Sequence, residues 1–242
     1  PAGDIGVGHT EIGYMLGVLK NQRQSVDGIL TGKPVGFGGS LIRTEASGYG
    51  LCYFVESMLK HFYATSLKGK KVVISGSGNV AIYAAEKAIK LGAKVIAMSD
   101  SNGYIKDDKG INSTIIQEIK EVKKDRIETY CNHVKHAVYV ENGSIWDVEC
   151  DVALPCATQN EVTLDDVKKM KEYGVLVIGE GANMPLQADA LRFILDNNMI
   201  CSPGIASNAG GVAVSGLEMA QNASKLMWSA ESVDGQLHAI MD

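Results

Sequence analysis

The chain has 242 residues, 45% of them hydrophobic and 21% charged, which suits a soluble globular protein with apolar material for one large core or two smaller ones. A formal net charge of -5 excludes the basic footprint of a nucleic-acid-binding protein. No apolar run reaches the ~18 residues that cross a bilayer, PAGDIGVGHTEIG lacks the regions of a signal peptide, and five cysteines without CxxC or Cys/His ligand spacing read as reduced thiols with no metal to hold.

After the glycine-rich PAGDIGVG, Ile12, Met15, Leu16 and Leu19 recur at helical spacing, with Thr10 as the expected N-cap. Residues 25–40 crowd Gly28, Gly32, Gly36, Gly38 and Gly39 around Pro34 and read as turns and short extended pieces. A second helix is expected where Leu51, Phe54, Val55, Met58, Leu59 and Phe62 mark one apolar face. KKVVIS, NVAIYAAEKAIKLG and AKVIAMSD then read as strand, helix and strand, bounded by Gly69, Gly76 and Gly92. STIIQEIKEVKKDRIETY reads as one or two helices with Ile115, Ile116, Ile119 and Val122 inward and a solvated lysine face. Apolar runs VYV, CDVALP, VLVIGEGA and MICSP follow, interleaved with helices through Val167 and Met170 and through Leu191 and Leu195. Strands alternating with helices imply an α/β fold, a doubly wound, mostly parallel sheet of Rossmann-like type with flanking helices.

VVISGSGNVA sits at the strand-to-helix turn of that unit. Gly76, Gly78 and Ala81 match the three small positions of the G-x-G-x-x-G/A fingerprint: one for the tight turn, one for close approach of a pyrophosphate, one for helix-strand packing. Ser77, Asn79 and Val80 complete the loop, whose helix N-terminus offers N–H groups to an anion. The following strand ends at Asp100, the place of an acidic residue that holds an adenosine ribose. Ser101 and the amides around Asn102 and Gly103 could equally hold a 2'-phosphate, helped by Lys120, Lys123 or Lys124, so the local pattern leaves NAD or NADP open.

PAGDIGVG, GGSLIRTEASGYG, SGSGNVA, LPCATQNEV, GEGANMP and SNAGGVAVSGLEMAQN, in this order, closely resemble the hexameric glutamate dehydrogenases over essentially the whole chain. The resemblance implies oxidative deamination of L-glutamate to 2-oxoglutarate and ammonia, in a homohexameric cytoplasmic or organellar parent, with no membrane or nucleic-acid partner. It implies Asp4 as the catalytic proton carrier, Arg43, Ser47, Asn183 and Asn208 around the nicotinamide end, and Ala157 and Thr158 at the adenosine half. Val212 and Ser215 are implied as the side-chain wall and hydroxyl that recognise substrate, although periodicity alone makes Val212 core and Ser215 surface. The SDSNG turn resembles the NADP-using branch more than the NAD-using one. Two departures bear on loop packing: Ile205 stands where the family commonly has Lys, and Leu186 where it commonly has a small hydroxyl residue.

The expected organisation is an active-site edge over 1–66, the dinucleotide domain over 67–208, and helices over 209–242 returning toward a substrate domain whose catalytic lysine would precede Pro1. The expected fragment binds cofactor and is inactive alone. Branched-chain or aromatic amino acid dehydrogenases share the motif set, and a non-catalytic dinucleotide-binding module is the alternative of another class.

Overall fold

The computed structural model describes residues 2–3, 6–23 and 28–242, so Asp4 lies outside the described residues. In chain order the regular elements are α1 (His9–Gln22), α2 (Ala46–Tyr63), β1 (Lys71–Ile74), α3 (Asn79–Lys90), β2 (Lys94–Asp100), β3 (Gly103–Lys106), α4 (Ser113–Gln117), α5 (Tyr130–His133), β4 (Val138–Glu141), β5 (Val152–Leu154), α6 (Leu164–Tyr173), β6 (Val177–Ile178), α7 (Ala188–Asp196), α8 (Gly204–Ser207), α9 (Gly210–Ser224) and α10 (Ala230–Met241). They fall into two compact units: Ser47–Ala209, and Pro1–Ala46 with Gly210–Asp242.

The larger unit is built on a sheet in the order β4-β3-β2-β1-β5-β6. β1 runs parallel to β2 and β5, and β5 runs parallel to β6, which is what strands joined by helical crossovers must do. Successive residues of a strand face opposite sides, so Val72 and Ile74 enter one core with α2 and α3, while Val73 enters the other with α6 and α7. Both faces are thus covered, and each fully buried Val, Leu or Ile contributes about 1.5–3 kcal/mol. This is the mixed α/β, doubly wound arrangement expected.

α2 crosses α3 at Gly48, where a Cβ would stand 2.4 Å from the Ala84 nitrogen and 2.7 Å from the Val80 carbonyl oxygen. Ala81, Ala84, Ala85 and Ala88 keep the facing side of α3 small and wholly buried. That close crossing sets Ser47 one residue from the first turn of α3.

In the smaller unit, α1 buries Ile12 and Leu16 against Leu30. Glu11 accepts from the Gly8 N–H at 2.7 Å, so Gly8 is the N-cap and Thr10 lies within the helix. Met15, expected inward, is exposed.

Several other expectations are corrected. Phe62 is exposed at the last turn of α2, and Val122 is 76% exposed because a π turn over Glu118–Val122 advances the phase after Ile119. α7 buries Ala190 and Ile194 and leaves Leu191 and Leu195 outside. β3 was not legible as a strand; it pairs antiparallel with β2 and β4, with Gly103 at φ +156 and the Val140 carbonyl 2.2 Å from where a Cβ would stand. MICSP contributes a single bridge, Ile178 to Cys201, in place of a strand.

Candidate functional site

The turn between β1 and α3 has the features an anion site requires. Gly76 has φ +85, and a Cβ on it would meet the Ala157 Cα at 3.0 Å and the Cys156 carbonyl oxygen at 3.1 Å. The Gly76 N–H donates to the Ser99 hydroxyl at 2.9 Å, and the Ser75 hydroxyl accepts from the Cys156 N–H at 2.9 Å, which ties the ends of β1, β2 and β5 together. Gly78 is different: its backbone is extended (φ -85, ψ -174), and a Cβ would touch nothing within 4 Å. Among the described residues nothing requires glycine at position 78, so its bare backbone faces open space, as close approach of a phosphate demands. α3 has no side-chain cap and no acidic residue in its first turn, which leaves the N–H groups around Asn79 and Val80 to an external anion.

At the end of β2 the SDSNG turn is organised by its own hydrogen bonds. The Asp100 carboxylate accepts from the Asn102 N–H at 2.9 Å and from the Ile127 N–H at 3.2 Å, and its side chain is 7% exposed. It is engaged with backbone. The Arg126 Nη1 donates to the Ser101 hydroxyl at 2.7 Å and stands 3.9 Å from Asp100. Lys120 instead donates to the Asp125 carbonyl at 2.8 Å, and Lys123 pairs with Glu118 at 2.9 Å. The cation hydrogen-bonded at this turn is Arg126. Sequence reasoning missed it because the neighbouring lysines drew attention, and the 25 residues between Ser101 and Arg126 close only through tertiary structure.

Beyond β5, Glu161 accepts from the Ala157 and Thr158 N–H groups at 2.9 and 3.3 Å, and burial pushes its carboxyl above the ordinary value against those bonds. The loop that carries Ala157 and Thr158 is thus held rigid beside Gly76. After β6, the Glu180 carboxylate accepts from the Gly204 N–H at 2.6 Å and the Ser207 hydroxyl donates to the Glu180 carbonyl at 2.7 Å. Burial raises the Glu180 pKa. This latch brings the two amides expected near a nicotinamide together: Asn208 Nδ2 donates to Asn183 Oδ1 at 2.7 Å. Met184, next to Asn183, has φ +49, one of the few left-handed residues that are neither Gly nor Asn. Of the two departures, Leu186 packs into the core with α6 and α7, and Ile205 is 89% exposed.

Burial pushes the thiols of Cys52, Cys150 and Cys201 up to about 12 and that of Cys156 well above its ordinary value. All five cysteines are free. Among the described residues no helix is long and apolar enough to cross a membrane.

In the smaller unit Arg43 Nε donates to the Ser215 hydroxyl at 3.0 Å. Periodicity is inverted here: Ser215 is 4% exposed and Val212 is 71% exposed.

A crossover-wound sheet with an open glycine turn at the carboxyl end of its first strand defines a nucleotide-binding class of α/β protein. The sequence pattern of the Glutamate/Leucine/Phenylalanine/Valine dehydrogenase family matches residues 38–242, and the chain belongs to that family. It is 52% identical over its whole length to the NAD(P)-specific glutamate dehydrogenase of Xylanibacter ruminicola and 47% identical to the NADP-specific glutamate dehydrogenase of Escherichia coli, of which it covers 55% and 54%. The crystal structure of Plasmodium falciparum glutamate dehydrogenase superimposes with a TM-score of 0.96 at 48% identity, all of this chain matching 52% of that one. The chain therefore spans about half the length of the relatives it matches.

Proposed function

We propose that this chain supplies the cofactor-binding portion of an NADP-dependent glutamate dehydrogenase, a cytoplasmic oxidoreductase that deaminates L-glutamate to 2-oxoglutarate and ammonia. The observation that carries the cofactor choice is the pair Ser101–Arg126, with a 2.7 Å hydrogen bond, beside an Asp100 whose carboxylate is turned to backbone amides. A hydroxyl and a guanidinium at the ribose end of the site suit a 2'-phosphate, and each charge-assisted hydrogen bond contributes about 1.5–3 kcal/mol.

The residues present fit the dinucleotide. Gly76, Ser77, Gly78, Asn79 and Val80 would cradle the pyrophosphate, Ala157 and Thr158 would border the adenosine half, and Ser47, Asn183 and Asn208 would orient the nicotinamide. When bound, the nicotinamide supplies the hydride acceptor. Arg43, assigned by sequence to the nicotinamide end, is better read with Ser215: a cation and a hydroxyl in one hydrogen bond form a carboxylate receptor, and Val212 the wall beside it. Asp4 would take and return the proton at the reacting nitrogen, the role a carboxylate in a closing cleft performs. The lysines of the substrate domain, and the hexamer, belong to the longer parent that the relatives' lengths imply.

Arg43 and Ser215 also separate glutamate from leucine, valine or phenylalanine, for which a half-buried cation and a buried hydroxyl would be left unmatched. Steady-state kinetics of the full-length enzyme with glutamate and with leucine, each with NADP, test this reading. Turnover that favours glutamate at least a hundredfold is expected; a preference for leucine would contradict it.

A further inference from the structure

Three charges converge on α9. Glu218 is wholly buried and Lys33 is 2% exposed, and their side chains meet at 2.5 Å. The Glu218 carboxylate also accepts from the Gly32 N–H at 2.9 Å and the Lys33 N–H at 3.4 Å, and Lys33 Nζ donates to the Leu30 carbonyl at 2.6 Å. Ser215 lies three residues before Glu218 and so shares its face of the helix, carrying the bond from Arg43. Burial lowers the Arg43 pKa and the charge of Glu218 opposes that shift, so the guanidinium lies within the field of the carboxylate.

Two backbone outliers hold this cluster. Ile42, immediately before Arg43, has φ +65, and Leu30, whose carbonyl receives Lys33, has φ +58. A β-branched or bulky residue in the left-handed region costs on the order of 1–3 kcal/mol and persists only where its surroundings over-determine it. Such strain marks sites where a side chain must be aimed.

Alone, Glu218 would oppose the positive charge of Arg43. Lys33 changes the balance: with the lysine and glutamate cancelling, one net positive charge is left, on the group bonded to Ser215. We propose that Lys33 is a specificity-determining residue which, by compensating Glu218, keeps the Arg43–Ser215 pair electropositive for the distal carboxylate of an acidic amino acid. The inference rests on the reading of Arg43 and Ser215 as the carboxylate receptor. Lys33 acts through Arg43 and need not touch the substrate.

The test uses the full-length enzyme and compares glutamate with norvaline, an amino acid that lacks the distal carboxylate. In Lys33→Gln, which keeps hydrogen-bonding capacity and removes the charge, the glutamate/norvaline ratio of kcat/KM is expected to fall tenfold or more, through KM for glutamate, with norvaline changed less than threefold. In Glu218→Gln, and in the double variant Lys33→Gln/Glu218→Gln, the ratio is expected to stay within threefold of the parent, because Arg43 is no longer opposed. A merely structural pair would lower both substrates together in both single variants, which overturns the proposal. If Lys33→Gln fails to fold, Lys33→Met, which removes the charge at similar volume, takes its place with the same expected and contrary results, and a tenfold loss of the ratio in the double variant also overturns the proposal. Arg43→Met is the control for the underlying reading. Loss of the ratio in Arg43→Met but not in Lys33→Gln sinks this inference alone, whereas an unchanged ratio in Arg43→Met sinks the receptor reading and this inference with it.

Discussion

At the scale of single residues, the two glycines of the β1–α3 turn do different work. Gly76 is required by the protein itself, through φ +85 and the Ala157 backbone at 3.0 Å, so Gly76→Ala should cost about 1–3 kcal/mol of stability, read as a fall in the denaturation midpoint. Gly78 has open space where its Cβ would be, so Gly78→Ala should move the midpoint little and weaken dinucleotide binding at least tenfold. Equal effects of the two substitutions on binding and stability would contradict the division. Arg126 is the residue that composition could not disclose. Lys120, Lys123 and Lys124 form the conspicuous run, but Lys120 and Lys123 are spent on local partners, and only the fold carries Arg126 to Ser101. Asp4 and Val212 illustrate the opposite case. Their suggested roles came from resemblance, and periodicity would have buried a valine that stands 71% exposed.

At the scale of elements, the apolar patterning predicted most helices and parallel strands, because a buried parallel strand is a short apolar run and an amphipathic helix repeats near every third or fourth residue. It failed where a local geometry shifts phase or where pairing replaces hydrophobicity. The π turn after α4 turned Val122 outward, and β3 is held by antiparallel ladders on both sides, not by an alternating pattern. The α2–α3 crossing depends on one atom that is absent. Gly48→Ala would force a methyl to 2.4 Å from the Ala84 nitrogen, and a loss of about 3 kcal/mol is expected in urea unfolding, more than usual overpacking costs because backbone must move. An unchanged midpoint would mean that the two helices do not pack this closely.

For the molecule as a whole, two carboxyls are held at a cost. Burial raises the pKa of both Glu161 and Glu180 above 4.5 despite their backbone donors. A carboxyl whose folded pKa is raised contributes stability while protonated, below its unfolded value, and loses it as pH rises through the folded value. Glu161→Gln should therefore raise the melting temperature at pH 8 relative to the parent, and the gain should shrink as acidification protonates the raised carboxyl. A gain that grows on acidification would reverse the sign of the argument. Both groups shape loops: Glu161 fixes the one beside the glycine turn, and Glu180 the one that pairs Asn183 with Asn208. The family and much of the cofactor turn were legible in short motifs. The charge balance around α9 was not, since Lys33 and Glu218 lie 185 residues apart in sequence. The central claim is that the end of β2 is a phosphate site, and a fluorescence titration of the protein with NADPH and with NADH tests it most directly. Binding of NADPH at least tenfold tighter, lost in Arg126→Met with NADH affinity unchanged, is expected; tighter NADH binding would mean that Asp100 faces the ribose and that the Ser101–Arg126 pair is only a surface contact.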